Sequence, residues 1–147
     1  MPTPTHTTVP TVAATPTSDP IAGFAADLRP IFAGDLAAAR GLPRYTLQLW
    51  LDPDQRVLTG TEQIIFPNTG GAPLEDIVLR LYPNFPRDLF GKGGDVRMDI
   101  MGAAVDGRAV AAQYLAQRTA VQLPLNQPLQ PGAVARLDLS FTATIVP

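Results

Sequence analysis

Few side chains in this sequence are able to carry chemistry, and their spacing argues against it. The 147 residues include no cysteine and a single histidine. Without cysteine there is no thiolate nucleophile, no disulfide framework and no cysteine zinc site, and the redox compartment stays undecided. His6 lies in MPTPTHTTVP, a tail that cannot hold ligand geometry. A lone histidine provides neither a paired zinc ligand nor the neutral-pH base of a Ser-His-Asp triad. We assign it no role.

Glu62 alternates with Leu58, Gly60, Ile64 and Phe66, so it would face the apolar side of a strand. Gly60 supplies a place for a bulge, and a shifted register or an edge position is the expected outcome. Asp95, Asp99 and Asp106 match no EF-hand spacing; Asp95 and Asp99 fall on an extended strand and do not converge on a calcium ion, and Asp106 is a turn residue. Arg87 and Lys92 lie in NFPRDLFGKGGD, which has neither the spacing nor the strand-to-helix setting of a phosphate loop. That stretch, with Phe85, Phe90, Gly91, Gly93 and Gly94, is expected to be a mobile surface loop touching a partner domain. Trp50, the only tryptophan, is expected to pack on a second sheet, a helix or a neighbouring domain instead of forming a ligand platform. The residues therefore assign no catalytic, cofactor-binding or metal-binding position.

Composition agrees with a module that packs and binds. A hydrophobic share of 46% over 147 residues supports one domain with a real core. With 13 acidic and 11 basic residues the net charge is −2, and no basic run could track a phosphate backbone, so nucleic acid is not an expected partner. No stretch approaches the ~20 apolar residues that span a bilayer, and the N-terminus has no signal-peptide pattern, so no membrane insertion is expected of this chain.

The elements follow from periodicity. Residues 1–20 are Thr/Pro-rich and read as a disordered stem, a composition that hints at an extracytoplasmic or cell-surface setting. Residues 21–43 carry Phe24, Leu28, Ile31, Phe32 and Leu36 at helical spacing, interrupted by Pro30. They predict one or two short helices, N-capped by Ser18 or Asp19, stopped at Gly41 before Pro43, with an apolar face packed on a neighbour. From Arg44 the period becomes two. In RYTLQLWL, Tyr45, Leu47, Leu49 and Leu51 point one way and Thr46, Gln48 and Trp50 the other, as in a half-buried strand. The Asp52-Pro-Asp-Gln turn and VLTGTEQIIF complete a hairpin. Further strands are predicted at Ile77–Tyr82, Val96–Val105, Gln113–Ala116, Thr119–Leu125 and Val134–Ala143, with a type I′ turn at Asp106-Gly107 and another turn at Pro131-Gly132. Short strands without βαβ alternation predict an antiparallel sandwich or a curved multi-sheet domain.

One ordered set of features is more specific than its parts. Arg44-Tyr45 opens a strand ending Leu51-Asp52-Pro53. Leu58-Thr-Gly60, Phe66-Pro-Asn68 and Leu79-Arg-Leu81-Tyr82-Pro83-Asn84 follow, then Val105-Asp106-Gly107, Leu123-Pro124-Leu125, Pro128-Leu129-Gln-Pro131-Gly132 and Leu139-Ser-Phe141. From Arg44 to Pro147 this order resembles the N-terminal β-domain of the aminopeptidase N family of zinc metallopeptidases, the membrane alanyl aminopeptidases, and is most similar to their bacterial, lipoprotein-like branch. The resemblance implies a saddle-shaped, mostly antiparallel, β-sandwich-like domain docked on a thermolysin-like catalytic domain. It implies zinc in the parent and none in this chain, because the H-E-x-x-H helix, its downstream Glu and the G-x-M-E-N segment of the family do not occur here. The family's acidic or amide ligand for the substrate amine would fall beyond Pro147, as would the catalytic domain that is the expected partner.

The expectation carried forward is a disordered stem over 1–20, a helical linker over 21–43 and a non-catalytic β-domain over 44–147 that braces a peptidase domain and shapes access to its cleft. The rival is a free-standing extracellular β-sandwich module for adhesion or carbohydrate binding.

Overall fold

The computed structural model describes residues 28–32, 34–85 and 97–145. The stem, the Ser18/Asp19 cap, His6, Phe24, and Arg87, Phe90, Lys92 and Asp95 of the glycine-rich loop lie outside the described residues. The chain divides between Arg40 and Gly41 into two compact units. In the first, Pro30–Phe32 forms a 3₁₀ turn and Asp35–Ala39 a five-residue helix, α1, and neither buries a residue. Pro30 sits at the start of its turn, where its missing N–H costs nothing.

The second unit is mostly antiparallel β. Its strands are β1 (Arg44–Asp52), β2 (Val57–Pro67), β3 (Leu74–Arg80), β4 (Met98–Val105), β5 (Arg108–Ala109), β6 (Gln113–Leu115), β7 (Ala120–Leu129) and β8 (Val134–Thr144). They form a five-stranded sheet ordered β1-β2-β8-β4-β5 and a three-stranded sheet ordered β3-β7-β6. This is the β-sandwich-like architecture expected from the strand pattern.

The core lies between the sheets, and β8 shows why. Its alternation is strict: Ala135, Leu137, Leu139, Phe141 and Ala143 are buried while Arg136, Asp138, Ser140 and Thr142 are not. Ala135, Leu137 and Leu139 of this row cluster with Ile64 of β2 and Val105 of β4 in their own sheet, and with Ile77, Val121 and Leu123 of the smaller sheet. Each such aliphatic side chain contributes roughly 1.5–3 kcal/mol on leaving water.

The turns behave as their residues dictate. Asp52 Oδ1 accepts the N–H groups of Asp54 and Gln55 at 3.0 and 2.9 Å. Asp106 and Gly107 both take positive φ, 49° and 77°, the pair of values that a two-residue type I′ hairpin requires. Strand ends depart from expectation where prolines intervene. The third strand begins at Leu74 and stops at Arg80, because Tyr82-Pro83-Asn84 turns into a 3₁₀ helix. The seventh runs on through Pro124 and Pro128 to Leu129. Pro124 stands opposite Asp76 at the last regular pair with β3, the register shifts beyond it, and β6 no longer reaches, so both prolines lie at or past the end of the regular ladder.

Two asparagines fasten the sheets to each other. Asn68 is buried; its side-chain amide donates to Ala72 O (2.9 Å) and to Leu129 O of β7 (2.8 Å), and its Oδ1 accepts Gly70 N–H (3.0 Å). Asn84 donates to Met98 O of β4 and to Arg118 O before β7, both at 2.8 Å, and accepts Met98 N–H at 2.6 Å. A third tie runs from Ile100 N–H of β4 to Tyr114 Oη of β6 at 2.7 Å. Next to it the Arg118 guanidinium lies 3.6 Å above the Tyr114 ring and pairs with Asp99. This anchoring holds Ala116, Gln117 and Arg118 in consecutive left-handed conformations, each disfavoured by roughly 1–2 kcal/mol for a residue other than glycine.

Replacing Asn84 by Ala leaves backbone groups on both sheets unpaired. Urea denaturation is expected to show a stability loss of about 2–3 kcal/mol, whereas Asn126→Ala on the exposed surface is expected to change stability by less than about 0.5 kcal/mol.

Candidate functional site

β1 is a long edge strand of the five-stranded sheet, exposed at every residue but Arg44. Cross-strand pairing sets Tyr45 against Ile64, Leu47 against Glu62, Leu49 against Gly60 and Leu51 against Leu58. These side chains therefore lie on the core-facing side. The smaller sheet does not extend over them: Tyr45, Leu47, Leu49 and Leu51 are each about half exposed. The half-buried strand expected from the alternation is corrected to an exposed edge, since alternation marks a face and not what covers it.

Between this row and β3 lies an apolar cleft of about 600 Å³ whose walls include Tyr45, Leu47, Phe66, Tyr82 and Phe141. Glu62 also lines it. The expectation of a bulge or an edge position for Glu62 is overturned: β2 pairs in unbroken register with β1 on one side and β8 on the other. Glu62 faces inward on an interior strand, between Leu47 and Leu139. Gly60 instead marks close packing. A Cβ there would stand 2.6 Å from Phe141 Cζ, 2.8 Å from Leu49 Cδ2 and 3.0 Å from Gln48 O.

Burial pushes the Glu62 carboxyl above its ordinary value of 4.5, because the charged form loses hydration. Arg80 lines the same cleft, yet Glu62 has no ion pair among the described residues. A single carboxyl in an apolar cleft can bind or repel charge. Among the described residues no second carboxyl lines the cleft beside it.

The opposite face of the same sheet is polar. A shallow depression of about 470 Å³ is lined by Thr46, Gln48, Thr61, Gln63, Asp138 and Ser140. Arg136 grips Asp138 through Nε and Nη2 at 3.0–3.2 Å, and this hydrogen bonding, assisted by Gln63, holds the Asp138 carboxyl below the usual range. Trp50 lies on this face beside Gln48, paired with Thr59, and is 56% exposed. The expected packing of Trp50 against a second sheet is therefore corrected. Asp99 is tied to Arg97 and Arg118, and Asp106 Oδ1 accepts Arg136 N–H at 2.9 Å, so each has a structural partner. Among the described residues no group of three or more His, Cys, Asp or Glu could hold a metal ion, and no helix is long and apolar enough to cross a membrane. These residues do not fit a zinc site. The row on β1 was visible in the sequence as alternation; what it lacked was any signal that the row is uncovered.

No family model and no curated protein matches the chain. Among solved structures it is similar to an M1 zinc metallopeptidase from Deinococcus radiodurans and to a variant of that enzyme bound to a Tyr-Ser-Ala substrate, each with 27% identity over 68% of this chain and a TM-score of 0.49. It is also similar to a two-domain M1 zinc metallopeptidase variant bound to L-tryptophan, with 26% identity over 68% and a TM-score of 0.49. The match covers 19% of each of those chains.

The raised Glu62 carboxyl has a defined linkage. The folded state keeps its proton to higher pH than the unfolded chain, so stability falls as pH rises from 4.5 through the raised value and stays lower above it. Glu62→Gln is expected to be more stable than the parent chain at about pH 7, with the difference vanishing at about pH 3.5. Urea midpoints at the two pH values check this; a constant difference would refute it.

Proposed function

We propose that this chain is the non-catalytic N-terminal β-domain of an aminopeptidase N-like zinc metallopeptidase, which braces a catalytic domain and narrows access to its cleft. The observation that carries the bracing role is the uncovered apolar row on β1. The core-facing side of the larger sheet continues past the smaller sheet onto Tyr45, Leu47, Leu49 and Leu51, and such a surface is suited to burial against another protein surface. The ordered motifs support the family reading, because Asn68 and Asn84, which end the Phe-Pro-Asn and Leu-Tyr-Pro-Asn runs, both fasten sheet to sheet. Zinc and peptide hydrolysis belong in this proposal to the parent. The Thr/Pro-rich stem supports an extracytoplasmic setting.

The test is twofold. The reading frame past Pro147 is expected to encode an H-E-x-x-H helix, and a stop codon there would sink the proposal. In the longer product, Leu47→Asp with Leu49→Asp is expected to lower aminoacyl-anilide turnover about tenfold through lost interdomain packing; unchanged turnover would argue against bracing. Trp50 favours a second reading. An exposed indole beside amides and hydroxyls on a flat sheet face suits a saccharide ring, which stacks on an aromatic and hydrogen-bonds around its edge. Under that reading the chain binds immobilised glycans and loses at least tenfold in affinity on Trp50→Ala; an unresponsive glycan array would exclude it.

A further inference from the structure

We propose that β1 is a self-association edge, at which two copies of the chain pair β1 with β1 antiparallel about a two-fold axis through Gln48. Among the described residues, the other sheet edges are blunted. β5 has two residues and β6 three. β3 carries Glu75, Asp76 and Arg80 and has a register shift. Charge, brevity and irregularity are the devices that keep sheet edges from pairing. β1 has none of them along its middle: its nine residues pair with β2 in unbroken register, and its charges stand only at the two ends, Arg44 and Asp52.

Those ends identify the occupant. An axis through Gln48 sets Arg44 of one copy opposite Asp52 of the other, and the symmetry repeats the pair at the far end. The same register places Tyr45 opposite Leu51 and Leu47 opposite Leu49 on the apolar side, and Thr46 opposite Trp50 on the polar side. Directly opposed side chains interact most strongly in an antiparallel pair. Moving the axis by one residue along the strand keeps the apolar rows together but separates both charge pairs. A two-fold interface must be self-complementary, and this strand meets that condition in one register. Neither charged group has an ion pair among the described residues. Asp52 uses Oδ1 for its turn. The result joins two five-stranded sheets into one continuous sheet. It consumes the in-plane edge and leaves the apolar face free, so it stands or falls separately from the bracing role.

The test is sedimentation velocity on the full chain over a range of concentrations, with circular dichroism to confirm folding. A monomer–dimer equilibrium is expected. Arg44→Asp and Asp52→Arg each set like charges together at both ends and are expected to weaken association about tenfold. The double charge swap is expected to return it to within about threefold of the original. Because Asp52 also holds its turn, hydrogen exchange on the unaltered chain gives an independent reading: amides of 44–52 are expected to gain protection as concentration rises. A monomer at every concentration, a dimer indifferent to the single changes, no recovery in the double swap, or unprotected β1 amides would each overturn the proposal.

Discussion

The alternation along β8 is the constraint on which the rest of the domain depends. As the middle strand of the larger sheet it pairs with β2 on one side and β4 on the other, so its buried row sets which residues of both neighbours face inward. A one-residue slip would turn Leu137 and Leu139 to water and Arg136 and Asp138 to the core. Gly60 opposite Phe141 reinforces that register, because only a residue without a Cβ leaves room for the ring.

The same constraint explains Glu62. Its register is tied on both sides, so it cannot turn outward without moving apolar neighbours out of the core. The cost appears as desolvation of its carboxyl and is limited by the open cleft, through which water reaches the wall. A bulge would have relieved the conflict locally, but β2 is interior and carries two ladders, and a bulge there would disrupt both.

The two faces of β1 hold different possibilities because the smaller sheet stops short of it. On the core side the row from Tyr45 to Leu51 extends the core surface beyond its cover; on the other side Trp50 stands among hydroxyls and amides. The domain's polar residues are spent on fastening: Asn68, Asn84, Tyr114 and Arg118 connect the sheets, and Asp52 and Asp106 shape turns.

Much of this was legible in the sequence, since strand alternation, Asp-Gly and Asp-Pro turns and proline breaks are local effects written in a few adjacent residues. Those effects determined the antiparallel β class, the first hairpin, the type I′ turn at Asp106-Gly107 and the inward set of β8. The inventory of one histidine and no cysteine likewise bore directly on the chemistry. Exposure and partnership were decided only by the tertiary structure. Alternation places Leu47 and Leu139 on one face equally well, yet one is half exposed and the other buried, because burial depends on how far the second sheet extends, which no local pattern encodes. The bulge or edge expected for Glu62 and the second sheet expected over Trp50 failed for that reason: whether a strand is interior or an edge is settled by pairings among residues far apart in the chain.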